Sequence, residues 1–269
     1  FGSSAWSSSF DRSLGAMEAL SHILNPWQVP LPLWCAAVVA KELALQGMDG
    51  AVSFFGRYIE PLPSRKGPKP IQHRPMDHKD FLYLAINAVI ETVFVGHLLH
   101  YVWFSPKIER SLGSLGFLNG AISLYFVVIF NDMLYAPMHR LLHTPMLYKW
   151  IHKHHHRVMY PHRGNVDARN EHPVEQIMAM GLWYSAVQLA TTCVGMHAIV
   201  IPLHIMIMVV CACFNHTGCD LSFNCFGIGF SVRAHEMHHR RKPNKNFGQL
   251  CMWFDKLMGT YTPYALDAK

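Results

Sequence analysis

Three apolar runs dominate this chain, each long enough to cross a bilayer, which takes about 20 helical residues. They cover residues 81–104, 113–137 and 175–214, and the last is a double-length run broken around Gly195. A weaker run at 30–48 carries two charges and indicates an interfacial helix first and a further spanning helix second. We therefore expect an all-α integral membrane protein of helical hairpins, with about four transmembrane helices.

The composition supports a membrane protein and excludes several other classes. Hydrophobic residues make up 51% of the chain and charged residues 15%, whereas soluble domains average about 25% charged residues. This argues against disorder, a coiled coil and an ordinary cytosolic enzyme. The seven cysteines are odd in number and have no Cys-x-x-Cys spacing, which argues against a disulfide framework and a thiolate zinc finger and favours a reducing compartment.

The net charge is +6, and the distribution of Lys and Arg between the apolar runs predicts how the chain crosses the membrane. Lys and Arg flank the apolar runs without a base-stacking pattern, so we expect anionic lipid and no nucleic acid as the partner. The basic segments are residues 59–80, residues 139–170 and the tail from Arg233 onward. Hairpin threading places all three on one face, which the positive-inside rule makes cytosolic or its organellar equivalent.

Histidine is unusually common, with 19 residues against 17 acidic ones. Neutral imidazole is the commonest metal-binding side chain. Three clusters have i, i+3 or i+4 spacing, which places their rings on one face of a helix, whereas His154 points away from its neighbours. The eight co-facial histidines are His139, His143, His152, His155, His156, His235, His238 and His239. We expect them to converge on a histidine-rich cap at the cytosolic face and to bind metal.

The order His-x-x-x-His, His-x-x-His-His, His-x-x-His-His resembles the histidine boxes of the membrane fatty acid hydroxylase superfamily, which includes sterol desaturases and sterol methyl oxidases. The resemblance covers about residues 80–262. It extends to shorter elements around the boxes, namely Asp132 before the first box, His172-Pro173-Val174-Glu175, His216-Thr217-Gly218-Cys219-Asp220, Asn246-Phe247-Gly248, Trp253-Phe254-Asp255 and Gly259-Thr260-Tyr261. It implies a hydroxylase-like membrane domain at 81–262, an N-terminal extension at 1–80 with a proline-rich basic linker, and a tail at 263–269.

The resemblance implies two iron ions held almost wholly by imidazole, for which zinc can substitute. Adding His172 and His216 to the box residues gives ten candidate ligands. Asp132, Asp220 and Asp255 are expected to accept hydrogen bonds from the N–H groups of ligand imidazoles. The alternative interpretation is that these three residues are capping acids or acids whose charge extends to the membrane surface.

The implied reaction is dioxygen-dependent hydroxylation or desaturation of a membrane lipid. No nicotinamide or flavin motif is present, so electrons are expected from a partner such as a cytochrome b-type carrier or a ferredoxin. The expected location is the endoplasmic reticulum, or a mitochondrial or plastid membrane. The HPVE and HTGCD elements favour the sterol branch, but sterol, fatty acyl, sphingoid and alkylglycerol substrates all remain open.

Two other functions are compatible with parts of the sequence. His235-Glu236-Met237-His238-His239 also satisfies the His-Glu-x-x-His pattern of zinc metalloproteases, although that scheme leaves His238 and the other boxes without a role. A second alternative is a structural subunit of a larger membrane assembly that keeps the metal but has no turnover. Residues 1–80, with Trp6, Trp27 and Trp34, would then be its contact surface.

The glycines of Gly227-Ile228-Gly229 indicate a turn rather than a dinucleotide-binding loop.

Overall fold

The computed structural model describes residues 28–67, 71–240 and 244–265. Trp6 and Trp27 of the predicted extension, and Arg241 and Lys242 of the basic tail, lie outside the described residues. The described chain is mostly helical, as expected. Its main helices are α1 (Leu31–Gly56), α2 (His78–Phe104), α3 (Ser123–Leu142), α4 (Asn165–Arg169), α5 (Pro173–Val194), α6 (Val200–Asn215), α7 (Val232–Arg240) and α8 (Trp253–Leu257).

Three helical segments of the described residues are long and apolar enough to cross a membrane. They are His78–Phe104, Leu118–Leu142, which adds a π-helical turn to the start of α3, and Pro173–Val194. The double-length run breaks where expected, because Gly195 adopts a φ of 72° after the end of α5, a conformation that favours glycine. The apolar helix α6 that follows has only 16 residues, so the expected count of four spans is not confirmed.

Helix α1 covers and extends the weaker apolar run, and it packs against α2 and α6. The Nε1 atom of Trp34 donates to the carbonyl of Thr92 at 2.9 Å. The Nζ atom of Lys41 lies 2.7 Å from Oε2 of Glu91. The positive charge of this run is therefore paired with an acid of α2. Val52 is buried in an apolar cluster shared with α6.

Two short pairs of strands accompany the helices in the described chain. Strand β1 (Ile108–Glu109) pairs in parallel with β2 (Met196–His197), and β3 (Ser222–Cys225) pairs antiparallel with β4 (Ile228–Ser231). The turn predicted at Gly227 is the two-residue loop of the second pair. Phe226 and Gly227 both have positive φ, 49° and 83°, as the commonest tight hairpin loops require.

The ends of α3, α5 and α6 meet on one side of the molecule. His143 is the C-terminal cap of α3, His172 the N-terminal cap of α5, and His216 the C-terminal cap of α6. Helix α3 packs along both α5 and α6. This packing brings chain segments that are far apart in sequence to a common site, to which α7 adds the third histidine box.

Candidate metal centre

Nine of the ten predicted imidazoles lie in two adjacent groups. Within each group the potential ligand atoms all lie within 4.8 Å of one another. The five-histidine group contains His139, His143, His152, His156 and His238, and the four-histidine group contains His155, His216, His235 and His239. The rings of His156 and His239, one from each group, have centroids 4.5 Å apart.

The second and third boxes divide reciprocally between the groups. In the second box the i, i+4 pair, His152 and His156, belongs to the five-histidine group, and His155 belongs to the other. In the third box the i, i+4 pair belongs to the four-histidine group and His238 to the five-histidine group. The second and third boxes therefore each contribute to both groups, whereas the first box contributes only to the five-histidine group. This division ties the two groups into one centre.

The local conformation of the second box differs from the regular helix that the spacing predicts. Tyr148–His152 is a π-helical turn, in which the N–H of Lys153 donates to the carbonyl of Tyr148 at 2.7 Å. His155–Arg157 then forms a 3-10 turn. Single π-helical turns are frequent at functional sites, and here the turn precedes the histidines that divide between the groups.

Partners at Nδ1 orient two rings of the five-histidine group. The Nδ1 atom of His139 lies 2.9 Å from the carbonyl oxygen of Phe247, and that of His152 lies 2.6 Å from Oε1 of Glu175. A neutral ring that donates through Nδ1 carries a lone pair on Nε2. The Nε2 atoms of these two rings are 3.0 Å apart. Two facing lone pairs repel each other unless a cation lies between them.

That separation fits two ligands of one ion. Imidazole nitrogens bind metal at about 2.0–2.1 Å, so two of them at right angles around an ion lie about 3 Å apart. Several further ring nitrogens are buried without a hydrogen-bond partner, namely His143 Nε2, His155 Nδ1, His156 Nδ1, His238 Nε2 and both nitrogens of His239. Buried polar atoms are normally satisfied, so these residues fit a bound metal.

Backbone carbonyls orient other rings in the same way. His216 Nδ1 lies 2.8 Å from the carbonyl oxygen of Ala212, and His238 Nδ1 lies 2.8 Å from that of Lys245. The Nε2 atom of His216 is then 3.4 Å from that of His155 and 3.3 Å from that of His235. A partner at Nδ1 that fixes the tautomer of a ligand histidine is the usual arrangement in metal sites.

Burial keeps the imidazoles outside the spanning helices neutral. Desolvation lowers the pKa of His143 to about 3. Desolvation, followed by neighbouring rings, also holds the pKa of the other box histidines well below the ordinary value, namely His152, His155, His156, His235, His238 and His239. Metal binding needs neutral imidazole, and the packing of the rings provides it.

His172 lies outside both groups. Its Nδ1 atom accepts the N–H of Val174 at 3.2 Å, which caps the first turn of α5, and its ring packs against Tyr83. His154 also lies outside the groups, as expected. Its Nε2 atom lies 2.9 Å from Oδ1 of Asn170.

The three predicted acids have partners other than imidazole in the described chain, so the expected bonds to ligand N–H groups are not found there. Asp132 accepts backbone N–H groups of Leu250 and Cys251, and Asp220 pairs with Arg233 at 2.5 Å. For Asp132 and Asp255 the physical reason is that backbone N–H groups of the buried 247–251 segment need acceptors, whereas Asp220 is held by the guanidinium of Arg233.

Asp255 supports the centre indirectly. It accepts the N–H groups of Phe247 and Gly248, each at 2.7 Å. The carbonyl of Phe247 is the partner of His139, so Asp255 holds the peptide that orients this ring.

Sequence reasoning missed the role of Glu175, the carboxylate that does contact a box histidine. Its signal was available, because it is an acid at the start of an apolar run, where a charge needs a partner. The carbonyl partners at Ala212, Lys245 and Phe247 carry no side-chain signal at all.

The metalloprotease pattern is not supported by the geometry of Glu236. Its Oε1 lies 3.2 Å from Nε of Arg240 and its Oε2 3.5 Å from Nε of Arg65. Glu236 thus pairs with two guanidinium groups and belongs to neither imidazole group, so it is not placed as the base beside a bound metal.

Comparison with known proteins agrees with the histidine pattern. The fatty acid hydroxylase family model matches residues 124–260. Sphinganine C4-monooxygenase 1 of Arabidopsis thaliana is 31% identical over 190 residues, which are 68% of this chain and 70% of that protein. Methylsterol monooxygenase 1 of Rattus norvegicus is 29% identical over 140 residues, which are 51% of this chain and 45% of that protein. No solved structure matches the chain.

Proposed function

This chain belongs to the fatty acid hydroxylase family, and on that premise we propose that it is a membrane-bound non-haem di-iron oxygenase acting on a lipid. Its relatives are monooxygenases, in agreement with an oxidoreductase. The observation that carries the proposal is the pair of adjacent imidazole groups. Some of their rings are oriented by hydrogen-bond partners at Nδ1, and several other ring nitrogens are buried without a hydrogen-bond partner.

We propose one iron ion for each group. Five imidazoles in one group and four in the other leave about one and two positions of a six-coordinate ion for other ligands. Bound iron would supply the activation of dioxygen. The chain's own part is to hold the Nε2 lone pairs inward, through the carboxylate of Glu175 and the carbonyls of Ala212, Lys245 and Phe247. Zinc can replace iron, since imidazole sites bind it more tightly than ferrous iron.

The proposed substrate is a membrane lipid of sterol, fatty acyl or sphingoid type, which is hydroxylated or desaturated. The centre lies at the ends of helices with the length and composition of membrane spans, so a lipid dissolved in the bilayer can reach it without crossing water. The names of the relatives include sphinganine and methylsterol, and both are largely hydrocarbon.

The proposed electron source is a separate carrier, of cytochrome b or ferredoxin type. The net charge of +6 supports binding of an acidic carrier by electrostatic steering. An endoplasmic reticulum or organellar membrane is the proposed location, with the histidine cap on the cytosolic side or its equivalent.

The test is metal content together with turnover of the purified protein. We expect about two iron ions per chain after anaerobic loading, and mass spectrometry to detect one 18O atom from labelled dioxygen in a hydroxylated lipid. Screening sphingoid, sterol and fatty acyl substrates in parallel identifies the class. Full metal loading without turnover of any lipid would instead support the non-catalytic subunit.

A further inference from the structure

A cavity of about 470 Å³ lies against the five-histidine group. His143 forms part of its wall, together with Phe247, whose carbonyl orients His139. The rim residues Arg140 and Asn244 are exposed. The cavity therefore connects the protein surface with an imidazole of the proposed iron site.

The walls of this cavity are cationic. Six of the lining residues lie between 140 and 144 or between 244 and 247. In the sequence, both groups belong to stretches without any Asp or Glu, residues 133–166 and residues 237–254. Arg140 is exposed and forms no ion pair within the described ranges. Lys245 also lines the cavity, where its Nζ atom donates to the carbonyl of Gly259 at 3.0 Å. Asp255, which precedes the lining residue Met258 in the sequence, is buried and already binds the N–H groups of Phe247 and Gly248.

We propose that this cavity, which we call the His143 cavity, is the docking site of an acidic one-electron carrier protein; the inference rests on the function proposed above. Hydroxylation places one oxygen atom of dioxygen in a C–H bond and reduces the other to water, which consumes two electrons and two protons. Two reduced carriers would each deliver one electron and leave oxidised. Docking here places the carrier's redox group close to His143, while Arg140 and Lys245 supply the complementary charge.

The experiment measures binding, so it does not depend on turnover. The full chain is placed in nanodiscs of neutral phosphatidylcholine, and the oxidised soluble haem domain of a b-type cytochrome is titrated by biolayer interferometry. A ferredoxin forms a second arm. The variant is Arg140→Glu. Its matched control is Lys107→Glu, an equal change of charge just beyond the far end of α2.

We expect Arg140→Glu to raise the Kd of at least one carrier about tenfold at low ionic strength, and raised salt to abolish the difference. Lys107→Glu should change the Kd less than about twofold, and Arg140→Lys should restore wild-type binding. Metal content and the midpoint of thermal unfolding check that each variant is folded. If Arg140→Glu does not fold, Arg140→Gln is used, with a smaller expected increase.

An unchanged Kd for both carriers in the folded Arg140 variants would overturn the proposal, as would an equal loss in Lys107→Glu. Carrier binding that requires anionic lipid in the nanodisc and does not change in Arg140→Glu would not come from this cavity and would also overturn the proposal. The proposed function fails separately, namely if chemically reduced, iron-loaded wild-type protein oxidises none of the lipids tested.

Discussion

The Nδ1 atom of His152 lies 2.6 Å from the Oε1 atom of Glu175, and both side chains are buried. The bond joins the second histidine box to the first turn of α5. It leaves the Nε2 lone pair of His152 facing the centre, where Nε2 atoms of His139 and His156 lie at 3.0 and 2.9 Å. The carboxylate of Glu175 thereby sets the tautomer of His152, whose Nε2 atom lies next to two other rings of the five-histidine group.

Replacing Glu175 by Leu should weaken metal binding. The Nδ1–H of His152 would lose its acceptor, and removing such partners typically costs about 10- to 100-fold in metal affinity. Equilibrium dialysis against an iron buffer measures the effect. Val174→Ala, an exposed change in the same turn, is the control, and equal affinities of the two variants would contradict the role of Glu175.

Replacing His155 and His154 separately should have different outcomes, although the residues are neighbours. His155 belongs to the four-histidine group, so His155→Ala should lose about one of two ions and all turnover. His154 instead binds Asn170, so His154→Ala should keep its metal and lose about 1–3 kcal/mol of unfolding free energy. Metal analysis and chemical denaturation separate the two, and matching metal loss would refute the grouping.

Double variants test how the boxes divide. His155 and His239 share a group although they come from different boxes, whereas His155 and His156 are adjacent but belong to different groups. His155→Ala with His239→Ala should remove about one ion, because both changes affect the same site. His155→Ala with His156→Ala should remove about two. Inductively coupled plasma mass spectrometry gives the counts, and the reverse order would show that the groups are assigned wrongly.

Replacing His172 by Ala should leave the metal content unchanged. Its Nδ1 atom caps α5 by accepting the N–H of Val174, and loss of a helix cap typically costs about 1 kcal/mol. The expected result is a lower thermal midpoint with full metal loading. A loss of iron comparable with that of His155→Ala would restore His172 to the ligand set.

Local patterns were sufficient to predict the helical membrane architecture and which histidines to consider. Apolar length predicted the three spanning segments of the described chain, together with a fourth that is not confirmed. The i, i+4 spacing predicted pairs such as His235 and His239 on one face. Both properties depend on residues close in sequence. The break at Gly195 was predictable for the same reason.

Tertiary structure decided how those histidines are divided and held. The partner of His139 is the carbonyl of Phe247, 108 residues away, and a carbonyl has no side chain to mark it in a sequence. Glu175 was visible but its partner was not, because only the packing of α5 against the second box brings them together. Spacing along a helix fixes which rings point the same way, whereas the meeting of distant helix ends fixes what each ring touches.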